Sequence, residues 1–300
     1  MHGSLGTTKS RNGWAVAGTV AALCVAGLLI AAKAYAFFVS GSVAVLGSLA
    51  DSALDLLGSA AAFFAVRYAS QPPDDDHRFG HEKAEAVSAL AQAFLISASA
   101  LFIAVESIKR LVHPQPLEDS GAAIAVLTFG VVATVGLVTF QTFALRRSGS
   151  LVVEGDRAHY LGDVIAHSGA LAAVFLSARF GFFRADAIAG LVAAFFLAWS
   201  VRELVGKALP QVMDQELPDE DRDRIIAIID EEPEAYGFHN LRTRRSGNVR
   251  FVQMHLDMRP DLTLREAHEI ADRVEKKIEA IFPDTDVIVH QDPLEAWEKE

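Results

Sequence analysis

Asp51 and Asp55 stand four residues apart in one apolar stretch, and His159 and Asp163 stand four apart in another. On a helix, residues at i and i+4 share a face about one turn apart. Each stretch would therefore present two ionisable side chains on one side. At bilayer depth such a side chain costs on the order of 3 kcal/mol on insertion scales, so these residues face the protein interior and mark ion or proton paths. A lone Asp in one span is as well explained by hydrogen bonding between helices. Two separate pairs, three of the four residues acidic, need a counter-charge, and a divalent cation supplies it. Three carboxylates and one imidazole make a four-ligand oxygen and nitrogen set for a metal such as zinc.

Two further clusters carry the same chemistry. Asp74-Asp75-Asp76-His77 is followed by Gly80-His81, so Asp74, His77 and His81 can meet on one metal if Gly80 bends the backbone. Three protein ligands plus water describe an exchangeable site rather than a closed structural one. The alternative is a solvated acidic loop. The last cluster is His239, His255, His268, His290 and Asp292, with His290 and Asp292 on one side of an extended segment. A binuclear site reporting metal is the sharper reading of it; ordinary core or surface histidines are the plainer one. Seven of the ten histidines fall in the three clusters, while His2, His113 and His167 stand apart. His81-Glu82 and His268-Glu269 open like a zinc-protease motif, but Glu85 and Asp272 occupy the place of its second histidine. Ser168-Gly169 lacks the surroundings of a nucleophile elbow. Without a nucleophile–base pair or a nucleotide loop, an enzyme is not expected.

The elements that must hold these residues follow from apolar run length. A helix needs about 20 mostly apolar residues to cross the hydrocarbon core. Six runs qualify: Trp14–Phe38, Ser42–Tyr68, Ala84–Val112, Ala122–Leu145, Ala158–Ala178 and Ala185–Val205. The breaks between them are Gly41 as a tight turn, Gln71–Lys83, His113–Ser120, Arg146–Arg157 and Arg179–Arg184. Small residues around the acidic pair, among them Gly47, Ser48, Ser52, Gly58 and Ser59, permit close helix approach. No cleavable signal is evident, so the first run reads as a retained anchor. With the N-terminus inside, ten Lys/Arg residues fall on the cytoplasmic side and five on the other, which favours cytoplasmic termini.

Charge divides the chain at the same place as hydropathy. Residues 1–209 hold 15 acidic and 15 basic side chains; residues 210–300 hold 23 and 12, which is the whole net charge of −11. An acidic body concentrates cations and repels nucleic acid, so nucleic-acid binding is set aside. Within it, Pro218 and an acidic first turn start a helix carrying Ile225, Ile226, Ile228 and Ile229. Strand-like alternation in Asn240–Arg245 and Arg250–Met258 flanks a turn at Ser246-Gly247-Asn248. Leu264–Ile281 is an amphipathic helix and Thr285–His290 a short strand. The expected architecture is a six-helix all-α transmembrane domain, residues 1–209. A small α+β domain of order αββαβ, ferredoxin-like, follows over residues 210–300. The single cysteine, Cys24, forms no intrachain disulfide.

In combination these stretches resemble the cation diffusion facilitator family, and most closely its bacterial zinc/iron efflux branch. The likeness is carried by GSVAVLGSLADSALDLLGS, DDDHRFGHEKAEA and DRAHYLGDVIAHSG in the apolar part. In the acidic part it is carried by FHNLRTRRSGNVRFVQMHLDM, AHEIADRVE and DVIVHQDP. The resemblance implies a transport site of Asp51, Asp55, His159 and Asp163, and a loop site of Asp74, His77 and His81. It also implies a cytoplasmic binuclear site of His239, His255, His268, His290 and Asp292, with Asp292 shared between ions. Further implications are a homodimer held by an interlock between Lys83 and Asp214, a bacterial inner-membrane location, and no departure at any ligand position. The His159/Asp163 pair is similar to that of zinc- and cadmium-handling members rather than manganese ones.

Metal ligands must be deprotonated, so metal and protons compete for one set of groups. The expectation is an antiporter that exports Zn²⁺, with Cd²⁺, Fe²⁺ and Co²⁺ as related cargo, in exchange for protons. The bundle would rock about a midplane site. A non-transporting sensor leaves the paired intramembrane charges unexplained, and a channel would not depend on a pH gradient.

Overall fold

The computed structural model of the 300-residue chain describes residues 5–40, 43–113, 121–180 and 184–294. The expected turn at Gly41 and the side chain of Asp51 lie outside the described residues. The chain forms two compact units, Lys9–Leu209 and the part from Pro210 onward.

The first unit is built on six helices: α1 (Leu5–Ser40), α2 (Val43–Ala69), α3 (Lys83–Val112), α4 (Gly121–Ser148), α5 (Leu151–Phe180) and α6 (Ala185–Val212). Among the described residues, four helical stretches are long and apolar enough to cross a membrane: Ser10–Phe38, Lys83–Val112, Leu127–Ser148 and Ala187–Val212. Those on α2 and α5, which carry the ionisable pairs, are not among these four.

The boundary between the fourth and fifth helices departs from expectation. The polar break placed at Arg146–Arg157 shrinks to Gly149 and Ser150, and α5 begins at Leu151 instead of Ala158. Gly149, at φ 68°, closes α4 with its N–H on the Leu145 carbonyl at 2.8 Å. The Ser150 hydroxyl then accepts the Val153 N–H at 3.3 Å and starts α5. One of the charges that made this stretch look like a loop is paired within the helical unit: Lys207 Nζ donates to Glu154 at 2.6 Å.

α5 is drawn close to its neighbours by an unexpected device. Gly155, Gly162 and Gly169 recur every seventh residue. A Cβ at Gly155 would fall 2.2 Å from Gln92 Oε1 on α3. At Gly162 it would lie 2.5 Å from Leu197 Cδ2, and at Gly169 2.2 Å from Ala189 Cβ, both on α6. At Gly169 the neighbour is a Cβ that cannot swing aside, so bare backbone is what fits there; at Gly155 and Gly162 a side chain would displace the ends of Gln92 and Leu197.

The second unit runs α7 (Asp219–Asp230), β1 (Gly237–Ser246), β2 (Val249–Met258), α8 (Leu264–Ile281) and β3 (Thr285–Pro293). It is a small α+β domain with sheet order β1-β2-β3. β1 and β2 form an antiparallel hairpin through Gly247, at φ 56°. β2 and β3 are parallel, which requires a crossover, and α8 supplies it. Thr263 and Glu266 cap α8 reciprocally. Alternation on β2 sends Val252, Met254 and Leu256 into a core with Ile225 and Ile229 of α7 and Ile270, Val274 and Ile278 of α8. Gln253 and His255 therefore point to the face that the helices leave open.

Glu232, 3% exposed just beyond α7, ties that helix to α8. It accepts from Arg273 Nη2 at 2.8 Å and Lys277 Nζ at 3.0 Å. Burial pushes its carboxyl up, but the two cations outweigh that and hold it below the ordinary glutamate value. The stabilisation is therefore present at neutral pH and is lost as pH falls through the carboxylate range. Glu232→Gln is expected to lower the unfolding free energy of a fragment beginning at Pro210 by about 1–3 kcal/mol at neutral pH. The gap from wild type should close on acidification. Urea unfolding across a pH series checks this; equal midpoints at neutral pH would refute it.

Candidate metal centres

Asp55 on α2 and His159 and Asp163 on α5 converge in the helical unit. His159 Nε2 lies 3.0 Å from Asp55 Oδ1 and 3.7 Å from Asp163 Oδ2. One donor atom from each of the three residues lies within 4.8 Å of the other two. All three are part-buried, which shields the site from bulk water while leaving it reachable. Two carboxylates and an imidazole offer hard oxygen and borderline nitrogen donors with a coordination position left over, suited to an ion that must leave again. Asp51 sits one turn earlier on the same helix, its side chain outside the described residues.

A buried polar network that spacing did not flag fixes this arrangement. Asp156, one turn before the site on α5, accepts from Gln141 Nε2 of α4 at 2.6 Å and from Ser59 Oγ of α2 at 3.3 Å. Ser59 also shares a 2.9 Å hydrogen bond with the Tyr160 hydroxyl. All four residues are buried. Removing one partner would strand another in the dark, so α2, α4 and α5 are locked together just beneath the ligands. On the other side of the site, a cavity of about 20 Å³ is bordered by Asp55, Asp163, Lys33, Ser52 and His167. Lys33, buried on α1, donates to Ser52 Oγ at 2.7 Å. His167, set apart in the sequence, thus lies beside the ligands. The repeat Asp156, His159/Tyr160, Asp163, His167 is helical, and that periodicity was the available signal.

The loop residues Asp74, His77 and His81 also meet. Asp74 Oδ1 accepts the backbone N–H groups of Asp76 at 3.0 Å and His77 at 2.7 Å. His77 Nδ1 lies 3.2 Å from Asp74 Oδ1, and His81 Nε2 3.3 Å from Asp74 Oδ2. The His77 backbone N–H is the main reason that the Asp74 carboxyl lies below its ordinary value, ready to ligate. Gly80 supplies the expected bend at φ 86°, where a Cβ would strike Glu82 Oε2 at 2.3 Å. His81 is buried against the Tyr68 ring, 4.7 Å between centroids. Among the described residues its Nδ1 is given no hydrogen-bond partner.

In the second unit the sheet register aligns His239, His255 and His290 across β1, β2 and β3. Asp292 holds the row together. Its Oδ2 lies 2.7 Å from His255 Nδ1 and 3.5 Å from His239 Nε2, and its Oδ1 lies 3.1 Å from His290 Nε2. His239, His255 and Asp292 meet the mutual distance for one ion. Buried Asp257, which spacing did not reveal, lies 3.0 Å from His239 Nδ1. A register shift follows His239 where Asn240 adopts φ 53°. His268 stands exposed on α8 and does not join the group. Lys83 and Asp214 belong to different units; Asp214 accepts from Arg244 Nη1 at 3.1 Å within its own.

Known proteins resemble this chain in both of its units. Residues 19–213 match the cation efflux transmembrane domain, and residues 217–294 match the cation efflux protein cytoplasmic domain. The chain is 41% identical to the cation-efflux pump FieF of Klebsiella pneumoniae over 98% of its own length and 95% of the relative's. It is also 41% identical to FieF of Shigella flexneri over 100% of its length and 98% of the relative's. The metal-bound C-terminal domain of the CzcD transporter from Thermotoga maritima matches at 28% identity and TM-score 0.24, covering 25% of this chain and 88% of that one. These relatives are transporters rather than enzymes, and this chain is a multi-pass membrane protein that belongs to the cation efflux family.

Proposed function

We propose that this chain exports divalent metal from the cytoplasm, with Zn²⁺ as principal cargo, in exchange for protons. Cd²⁺, Fe²⁺ and Co²⁺ are related cargo. The observation that carries the reading is the meeting of Asp55, His159 and Asp163 inside an apolar helical unit of a cation efflux protein. Asp51 joins them as a fourth ligand. The His159–Asp55 contact of 3.0 Å keeps the donors together when no ion holds them. Because each donor binds either a proton or a metal, protons arriving from outside displace the ion, and metal arriving from the cytoplasm displaces protons. A mixed nitrogen and oxygen set suits zinc better than an all-oxygen set would.

In this reading all six helices cross the inner membrane, with both termini cytoplasmic and the bundle rocking around the site. Asp74, His77 and His81 form a second, exchangeable metal position. The domain from residue 210 is cytoplasmic and regulatory. There the donor set of His239, His255, His290 and Asp292 fits resident metal, with Asp292 shared and His268 reaching a binuclear site only through rearrangement of α8. Metal there reduces repulsion between two acidic copies in a homodimer, and Lys83 and Asp214 form the interlock below the membrane.

Asp55→Ala and Asp163→Ala are each expected to abolish zinc flux in proteoliposomes bearing an imposed pH gradient while the protein stays folded. Wild-type flux from either would remove the site, and flux indifferent to the gradient would mean a channel. His159→Asp should shift the zinc/cadmium preference by about tenfold, since a borderline nitrogen becomes a hard oxygen; unchanged selectivity counts against the nitrogen's role. Replacing His239, His255, His268 and His290 together by Ala should raise the zinc concentration needed for half-maximal flux without abolishing transport. Identical zinc dependence would defeat the regulatory assignment.

A further inference from the structure

Polar contacts between α2 and α5 do not stop at the three converging ligands. Ser59 meets Asp156 and Tyr160, Asp55 meets His159, and Ser52 borders a cavity with Asp163 and His167. The two helices thus run antiparallel, and their polar groups continue from residue 156 to residue 167 of α5. His167 lies four residues beyond Asp163, about 6 Å farther along the helix. It points to the same cavity as Asp55 and Asp163.

The size of that cavity restricts what it can hold. About 20 Å³ accommodates roughly one water molecule, for which ~10–15 Å³ suffices. That space is too small for a fully hydrated metal ion, so an ion seated there is held in part by protein donors. Lys33 borders the same space but cannot ligate, because an ammonium has donors and no lone pair. The hydroxyls of Ser52, Thr134 and Tyr160 are weak ligands. Beyond Asp55 and Asp163, the imidazole of His167 is the strong metal donor among the residues that border it.

We propose that His167 is a further ligand for the cargo, forming with Asp163 a second station one turn beyond His159. Asp163 belongs to both stations and hands the ion over without releasing it to water. The buried ammonium of Lys33, on the wall of this second station, opposes prolonged residence of a dication and favours its departure. In the topology proposed above this is the outward side of the site, so the inference rests on that reading.

The test uses the full-length protein in which His77, His81, His239, His255, His268 and His290 are replaced by Ala, leaving zinc only the helix-borne positions. With His159→Ala added to that background, zinc X-ray absorption at one equivalent should still report one imidazole per ion, falling to none when His167→Ala is added as well. Zinc flux should fall about tenfold in His167→Ala and in the similarly shaped His167→Gln. His167→Asp, which restores a ligand, should recover flux with an altered zinc/cadmium ratio. No imidazole in the His159→Ala background, together with unchanged flux in His167→Ala, overturns the second station. In that case Asp55→Ala decides the larger question: if it still abolishes flux, the transport site stands without His167, and if it does not, both fail.

Discussion

A carboxylate carried into an apolar helix has lost its water and must recover the difference from its neighbours. That requirement shapes the helical unit. Asp55 recovers it from His159, across the gap between α2 and α5, and Asp163 lies one turn along from the same imidazole. An exposed ion pair would contribute little. In these surroundings the alternative to pairing is an orphaned charge, so Asp55 and His159 also hold α2 and α5 in register. In the proposed function, binding and architecture share the same atoms, and an entering ion would replace part of the fold's own bonding.

Such a site needs support that does not change when its ligands change partner. The Ser59–Asp156–Gln141 network provides it from below, with Tyr160 attached. These side chains bond to one another without reference to any ion. The second unit solves the same problem with a sheet. Strand register sets His239, His255 and His290 in a row, and one carboxylate, Asp292, reaches all three. The hydrophobic layer of α7 and α8 on the opposite face keeps that register from slipping, because a one-residue slip would turn Met254 and Leu256 outward.

Spacing exposed the groups that come in pairs. Asp55, His159 and Asp163 were legible because two charges at i, i+4 in an apolar run have few structural explanations. Asp74, His77 and His81 were legible because they crowd a short loop. The strands of the second unit were readable from alternation, but not the register that lines up its histidines, and His268 shares their chemistry without sharing their face. Isolated polar residues stayed hidden. Asp156 fell in a stretch whose charges looked like a loop, Gln141 was one amide in an uncharged run, and Lys33 and His167 each stood alone. A solitary polar residue does not reveal which way its helix is turned; only packing decides that. The early start of α5 was missed for a related reason, since Glu154 is neutralised by Lys207, a residue 53 positions away.

The glycine seam has a mechanical side. Interlocked side chains resist lengthwise slip because every tooth must climb out of its notch. Where Gly155, Gly162 and Gly169 face α3 and α6, one surface has no teeth. The rod bearing His159 and Asp163 is therefore held near α3 and α6 by bare backbone, with its neighbours' side chains seated where its own would stand. The hydrogen bonds that fix its position come from elsewhere, from Ser59 of α2 and Gln141 of α4.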